Sequence, residues 1–425
     1  MALMKRSSNR PRPDLPAPQA PPAPRIRVNG NPIRWALVLL LFACAALPVS
    51  AKKTTVEKLE SLVASIHGRP DAEVADKLVE LELTERLSSA RLASLDSAMP
   101  GPMARGALMA LADSSAFLRP PADEIAESAP PDSAAQRQLL ELTADYASQT
   151  LARMPNFFAT RETTLFMDKP AGPGVIATPV DQSLEFVRKV NVTVLYRGGK
   201  QVVQAPDKKG IDSEPRETGL VTSGEFGPIL GTLLSDAREG TLTWGYWERH
   251  PGGNLAVFRY SVPKNKSHYE AKFCCVLINS GLTTYQRITG YHGEIAVDPE
   301  TGTILRLTMQ SDLKPSYPMA RADLMVEYGL VEIGGKTYNC PVKSVAITRG
   351  YEPLPATVLG LPTDIGSLGA NQDSTDRPEI LQTMLNHVVF RQYHLFRSES
   401  RILTDQEDAP GDVPPIIVPP TSPNR

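Results

Sequence analysis

From Thr241 to Met309 the chain alternates apolar and polar residues in short runs separated by turn-forming sequences. Segments 241–249 and 255–262, rich in Trp, Tyr, Phe and Val, flank Pro251-Gly252-Gly253-Asn254 and predict a hairpin. Residues 269–278 predict a third strand. Residues 290–297 and 303–309 predict a second hairpin about Asp298-Pro299-Glu300-Thr301-Gly302, where Pro presets φ and Gly accepts a positive φ. Tyr291, Ile295 and Val297 fall on one face of their strand and His292, Glu294 and Asp298 on the other, as in a sheet with one wet side. Upstream, 157–167 predicts a strand, and 190–196 and 201–204 flank Arg197-Gly198-Gly199-Lys200. Downstream, 322–331 and 336–349 are joined through Ile333-Gly334-Gly335-Lys336, and 387–403 reads as a last long strand. Residues 205–219 read as a loop, and 351–386 as irregular with short helical turns. About a dozen strands with few helices between them exclude parallel βαβ units. They predict a strongly curved antiparallel sheet, a half-open barrel.

A helical period replaces the alternation over 54–153. Thr54-Thr55-Val56-Glu57 can form a capping box, followed by Val56, Leu59, Leu62, Val63 and Ile66 at helical spacing, with Gly68 and Pro70 as stops. Further helices are predicted from Asp71, from near Thr84, over 103–118 and over 133–154. Glu80, Glu82, Glu85 and Arg86 read as their solvated face. One helix, 225–236, is predicted among the strands, with Phe226, Ile229, Leu230, Leu233 and Leu234 on one side. It packs on the sheet either as a lid over a ligand cavity or as a core plug. The expected fold class is therefore α+β: an N-terminal all-helical domain over 54–154, then a curved antiparallel half-barrel over 156–403 with an inserted helix.

Composition changes the picture mainly at the ends. With 425 residues and a net charge of −2, the chain can bury two cores and carries no general affinity for nucleic acid. Its 39 prolines concentrate at the termini, so 1–51 and 404–425 are expected to hold disordered Pro-rich sequence. Within 1–51, the apolar run 35–47 follows Arg25, Arg27 and Arg34 and precedes Val49-Ser50-Ala51, the layout of a secretory signal peptide. A retained anchor, or a lipoprotein processed at Cys44, are the alternatives. Export makes the remaining cysteines meaningful. Cys275 shares strand parity with Tyr269, Ala271 and Phe273, and Cys340 with Tyr338 and Val342, so a Cys275–Cys340 disulfide is expected. Three buried thiols are the alternative, and a zinc site lacks a ligand set.

Candidate chemistry is sparse. The six histidines have no ligand spacing, and His292 with Glu294 reads as a solvated strand face. Asp-Pro-Glu-Thr-Gly is turn chemistry, and no nucleophile elbow, phosphate loop or dinucleotide fingerprint occurs. The chain is accordingly read as non-enzymatic, with neither cofactor nor metal. Its aromatics are the better lead: Trp244 with Tyr246, Phe258 with Tyr260, and Tyr269 with Phe273 each share a strand face. Together with Phe226, Leu230 and Leu233 they could line an apolar ligand pocket. The same residues would also serve a plain barrel core.

Residues 244–260, the 293–307 hairpin with its Asp-Pro-Glu-Thr-Gly turn and the helix at 226–234 together resemble the periplasmic lipoprotein-carrier fold. That group includes the Lol-type carriers, outer-membrane lipoprotein-sorting proteins and RseB-like sensors, and the resemblance spans roughly residues 156–403. Stretches 83–92, 223–229 and 392–403 are also similar to uncharacterised secreted bacterial proteins. The resemblance implies an envelope protein of the periplasm or outer-membrane surface that binds an acyl chain or a lipidated protein in its half-barrel. The alternative, from a different class, is an interaction or sensor module that docks an envelope protein partner through its helical domain.

Overall fold

The computed structural model describes residues 51–66, 68–168, 184–203, 219–220, 225, 228–278, 281–314, 319–353 and 379–396. The helical period produces β1 (Lys52–Thr54), α1 (Val56–Ser65), α2 (Asp71–Val79), β2 (Leu81–Leu83), α3 (Ser89–Ser97), α4 (Pro102–Ser114) and α5 (Ser133–Arg153). The α1 cap is Thr55, which accepts from Lys58 N at 3.3 Å. It lies one residue later than the capping box predicts, because Thr54 pairs with Leu83 in the parallel β1–β2 ladder. Asp71 accepts from Met103 N and Ala104 N at 3.0 and 2.8 Å, so α2 caps α4. The third helix starts at Ser89 rather than near Thr84 because tertiary bonds take the intervening backbone. Thr84 N donates to Thr54 O, Arg86 N to Arg119 O and Leu87 N to the Ser115 hydroxyl. Val56, Leu59, Leu78, Leu95, Leu108 and Leu111 close the helical core.

The alternating region contributes β3 (Phe157–Asp168), β4 (Leu184–Arg197), β5 (Lys200–Val203), β6 (Gly219–Leu220), α6 (Pro228–Ala237), β7 (Thr241–Glu248), β8 (Leu255–Val262) and β9 (Glu270–Ile278). It continues with β10 (Gly281–Ile288), β11 (Tyr291–Val297), β12 (Ile304–Ser311), β13 (Met319–Ile333), β14 (Lys336–Pro353) and β15 (Glu379–Leu395). The fold is α+β. Ten strands form an antiparallel sheet in the order β5-β4-β3-β15-β14-β13-β12-β11-β8-β7, which does not close on itself, and β10-β9-β6 form a separate sheet. Gly198 and Gly199 (φ 56° and 77°) and Gly334 and Gly335 (φ 62° and 81°) supply the two positive φ angles that tight hairpins require.

Several strands depart from the sequence expectation: the parallel β1–β2 ladder interrupts the region expected to be all-helical, and β10 and β15 differ within the β-region. β15 begins at Glu379, where Ile380, Leu381, Met384 and Leu385 favour a helix locally but pair with β14 along 345–353. Tertiary pairing overrides local propensity there. β10 was unforeseen because Thr283, Thr284, Gln286 and Arg287 give it a polar character, and β9 leaves the large sheet to pair with it. The expected signal sequence lies outside the described residues; within them no helix is long and apolar enough to cross a membrane.

Both faces of the large sheet are covered. On what we term the back face, Ala110 of α4 and Ala116 pack on Phe166, Met325, Val345, Ile347 and Leu385. Two buried ionic clusters reinforce this contact. Arg306 grips Glu248 with two bonds of 2.7 and 2.8 Å, and Arg86 reaches the same carboxylate at 2.7 Å from the helical region. Arg86 is therefore a buried partner of the sheet, contrary to its expected place on a solvated helix face. Asp113 of α4 meets Lys343 Nζ at 2.8 Å and His387 Nδ1 at 2.6 Å.

Burial pushes both carboxylates up, but their cationic partners outweigh it and hold Glu248 and Asp113 each at about 2. A carboxyl whose pKa is lower folded than unfolded stabilises above the unfolded value, and that stability is lost as pH falls toward the folded one. Burial raises Asp168 and Asp323, which act in the opposite sense. The urea midpoint is expected to fall between pH 5 and pH 2, and to fall less steeply in an Asp113→Asn variant. Identical slopes in the two proteins would refute this assignment.

Candidate functional site

The front face carries the continuous apolar surface: Phe258, Tyr260, Tyr291, Ile295, Leu307, Met309, Leu324 and Val326. Helix α6 lies on it. Pro228 begins the helix, where its missing N–H costs nothing. Ile229, Leu230 and Leu233 point into the sheet, with Leu233 0 % and Leu230 8 % exposed. Ala147 of α5 and Ala271 of β9 complete the same cluster.

Both ends of the α6 segment are fastened by acidic residues. At the C-terminal end Asp236 is fully buried. It accepts from Tyr291 Oη at 2.9 Å and His268 N at 2.8 Å, and its second oxygen lies 2.6 Å from His268 Nδ1. At the N-terminal end Glu225 is 0 % exposed and lies 3.9 Å from Nη2 of Arg161, itself 2 % exposed on β3. Tyr328 Oη donates to the Glu225 backbone carbonyl at 3.4 Å. Neither Glu225 carboxylate oxygen has a hydrogen-bond partner. Burial, together with the Glu225 charge, raises the Tyr328 phenol far above its ordinary value. Burial likewise raises Tyr260, Tyr269 and Tyr291, so all four phenols are neutral.

A second apolar cluster lies on the same face, built from Phe157, Tyr196, Cys340, Val388 and Phe390. Phe157 stacks on Tyr196 at 5.1 Å. Arg161 stands beside this cluster, paired across the ladder with Phe390 and Val192. Tyr328 belongs to the cluster under α6. The Arg161–Glu225 pair thus marks the border between two apolar areas.

Of the site residues expected from sequence, Leu230, Leu233, Trp244, Phe258 and Tyr260 meet on the front face. Trp244 lies edge-on to Phe258 at 5.4 Å and to Trp247 at 4.9 Å. Tyr246 does not join them. The β7–β8 register shifts between Trp244 and Tyr246, which turns Tyr246 to the back face beside Val257 and Ala296. The bulge forms at Gly245, where an added Cβ would sit 2.7 Å from Val257 O. Phe226 and the side chains of Phe273 and Cys275 lie outside the described residues. Cys340 is a buried free thiol 4.0 Å from Met154 Sδ rather than one half of the expected disulfide with Cys275, and burial in the apolar cluster pushes its pKa up to about 12.

His292 and Glu294 do not converge on a shared centre. Glu294 accepts from Tyr246 Oη at 2.8 Å and Arg259 Nε at 3.3 Å, while His292 Nδ1 lies 2.8 Å from Asp312. Three cavities bounded by described residues lie away from α6. One of 220 Å³ lies beneath α4, one of 210 Å³ lies beside Gly293, and a groove of 470 Å³ runs between Trp247, His250 and Glu300. The sequence reading missed Arg161, Glu225 and Asp236. An arginine inside the apolar alternation of β3, and acidic residues bracketing the most apolar helix, are the signals that could have found them.

No protein-family model and no curated protein matches the chain. Among solved structures it is similar to a chain in the complex of Pseudomonas aeruginosa MucA and MucB. The identity is 11 %, the match covers 58 % of this chain and 93 % of that one, and the TM-score is 0.19. A superposition that weak carries no argument.

Proposed function

We propose that this is an exported, non-enzymatic envelope protein whose ten-stranded sheet acts as a half-barrel for an acyl chain or a lipid-modified partner, with α6 as its cover. The observation that carries the reading is Glu225. A fully buried carboxylate without a single hydrogen bond is costly, and a permanent core plug has no use for one. At the root of a helix that leaves the sheet when ligand enters, the same group lowers the cost of opening. The aromatic wall of Trp244, Phe258 and Tyr260 supplies the apolar lining that such ligands need.

Organic extraction and lipid mass spectrometry of the purified mature protein should recover acyl compounds at about one per chain, and a hydrophobic fluorescent probe should bind with the same stoichiometry. A protein that yields no lipid and takes up no probe would instead be an interaction module docking an envelope partner through its helices. Export carries removal of residues 1–51 with it, so the mature N-terminus should be Lys52.

A further inference from the structure

We infer that the 470 Å³ groove between the hairpin tips of the large sheet is a docking site for an extended, arginine-bearing segment of a protein partner. The inference does not rest on acyl binding, because neither α6 nor the acidic residues that fasten it line the groove.

The first argument is size and construction. Ligand sites generally offer about 300–1,000 Å³, a range this groove reaches and the cavities of 220 and 210 Å³ do not. Its walls come from three stretches: residues 128–129, residues 252–254 at the tip of the β7–β8 hairpin, and residues 298–300 at the β11–β12 turn. Ala256 pairs with Val297, so the two tips stand at the same end of the sheet. An extended segment already lies beside β7 next to the groove. Ala126 N donates to Trp247 O at 2.9 Å, and Arg249 N donates to Glu124 O at 2.7 Å. Further along the same segment, Trp247 Nε1 donates to the Ala129 carbonyl at 2.9 Å, and the groove opens between that segment and the hairpin tips.

The second argument is charge. Asp298 and Glu300 both line the groove, and neither has a cationic partner among the described residues. Carboxylates elsewhere on the sheet find one: Glu294 lies 3.3 Å from Arg259, and Glu162 lies 2.7 Å from Lys189. Arg249 adjoins His250 in sequence but does not line the groove. The Nδ1 of His250 accepts from Gly252 N at 3.3 Å, an arrangement open to the neutral imidazole alone. The lining thus presents two negative charges and no positive one, which favours a cationic occupant.

The third argument is Trp247. Its bond to Ala129 and its edge-on contact with Trp244 at 4.9 Å hold the ring in place. An indole fixed in this way receives a planar guanidinium with little further loss of freedom. Leu255 and Leu305 complete the lining and suit the methylene stem of the same side chain. A bare metal ion would use neither the indole nor the leucines. Arginine meets all three features with one side chain, and tryptophan and arginine are the residues that most often anchor protein interfaces.

The probe is a capped Gly-Arg-Gly-Arg-Gly peptide, titrated into the full mature protein and followed by calorimetry. Fluorescence reports on the groove as well, since Trp244 and Trp247 are the tryptophans that follow residue 51. The peptide is expected to bind about tenfold tighter than its norleucine counterpart, and to weaken as salt rises from about 0.05 to about 0.5 M. Agmatine carries the same guanidinium without a peptide backbone and should bind about tenfold more weakly than the arginine peptide. Asp298→Asn/Glu300→Gln removes both charges. Its Asn keeps an oxygen for the bonds that Asp298 accepts from Glu300 N and Thr301 N at 2.8 and 3.3 Å, so the turn persists. This variant should melt as wild type does and lose the preference for arginine over norleucine. Asp312→Asn, which removes a carboxylate outside the groove, should leave the preference unchanged. Equal affinity of wild type for the two peptides, binding of neither, or an equal loss in Asp312→Asn would overturn the docking site. Agmatine binding as tightly as the arginine peptide would overturn the protein partner and make the groove a site for a small cation.

Discussion

Replacing Glu248 with Ala is expected to cost about 3–5 kcal/mol of stability, the loss typical of removing one partner from a buried ionic cluster. Arg86, Glu248 and Arg306 are 5 %, 5 % and 8 % exposed. Deleting the carboxylate leaves two guanidinium groups facing each other without a counter-charge, and like charges at that separation repel more strongly in protein than in water. The effect also has a direction. Arg86 belongs to the helical region and Arg306 to β12, so repulsion should part the helices from the sheet before either unfolds. Urea denaturation followed by helix-sensitive and tryptophan signals, which should coincide in wild type, is expected to split into two steps in the variant. A triple variant Arg86→Met/Glu248→Leu/Arg306→Met should recover most of the stability. A loss below ~1 kcal/mol for Glu248→Ala would mean that water reaches the site and screens it as it does a surface pair.

The sequence was most legible where one physical constraint acted alone. Alternation predicted β3, β7, β8, β11, β12 and the β13–β14 hairpin, because each strand buries one face and its turn needs Gly at a positive φ. Tyr291, Ile295 and Val297 lie together in the core as their parity requires. Legibility failed where two constraints competed. A single bulge at Gly245 reverses the parity of everything after Trp244 in β7, and sent Tyr246 to the opposite face. The segment 379–386 prefers a helix locally and is claimed by the β14 edge. The buried ionic groups were the least legible. Arg86, Asp113, Arg161, Glu225, Glu248 and His387 acquire their roles from partners dozens to hundreds of residues away, and nothing in their neighbours' hydropathy marks a charge as buried. Arg86 looked like one more exposed residue of a charged helix face until its contact with Glu248 placed it.

The proposed cover role of α6 makes its own prediction, which compares two leucines of one core. Leu233 on α6 and Leu307 on β12 are both 0 % exposed and belong to the same cluster. An Asp at either position buries a carboxylate among apolar groups, a change that costs several kcal/mol when it cannot be escaped. Leu307 is fixed between β11 and β13, so Leu307→Asp has no escape and should lower stability by about 4 kcal/mol or more. Leu233→Asp can be relieved by α6 leaving the sheet, which caps the loss at the free energy of opening. Leu233→Asp is therefore expected to melt well above Leu307→Asp, to bind a hydrophobic dye in the cold, and to exchange amide hydrogens faster over 228–237 than elsewhere. Equal collapse of the two variants would identify α6 as a plug of the core. Such a result would also remove the reason for an imperfectly held Glu225 beneath it, since a helix that never leaves has no need of a weak latch. The comparison thus tests the cover independently of any ligand, on the folded protein alone.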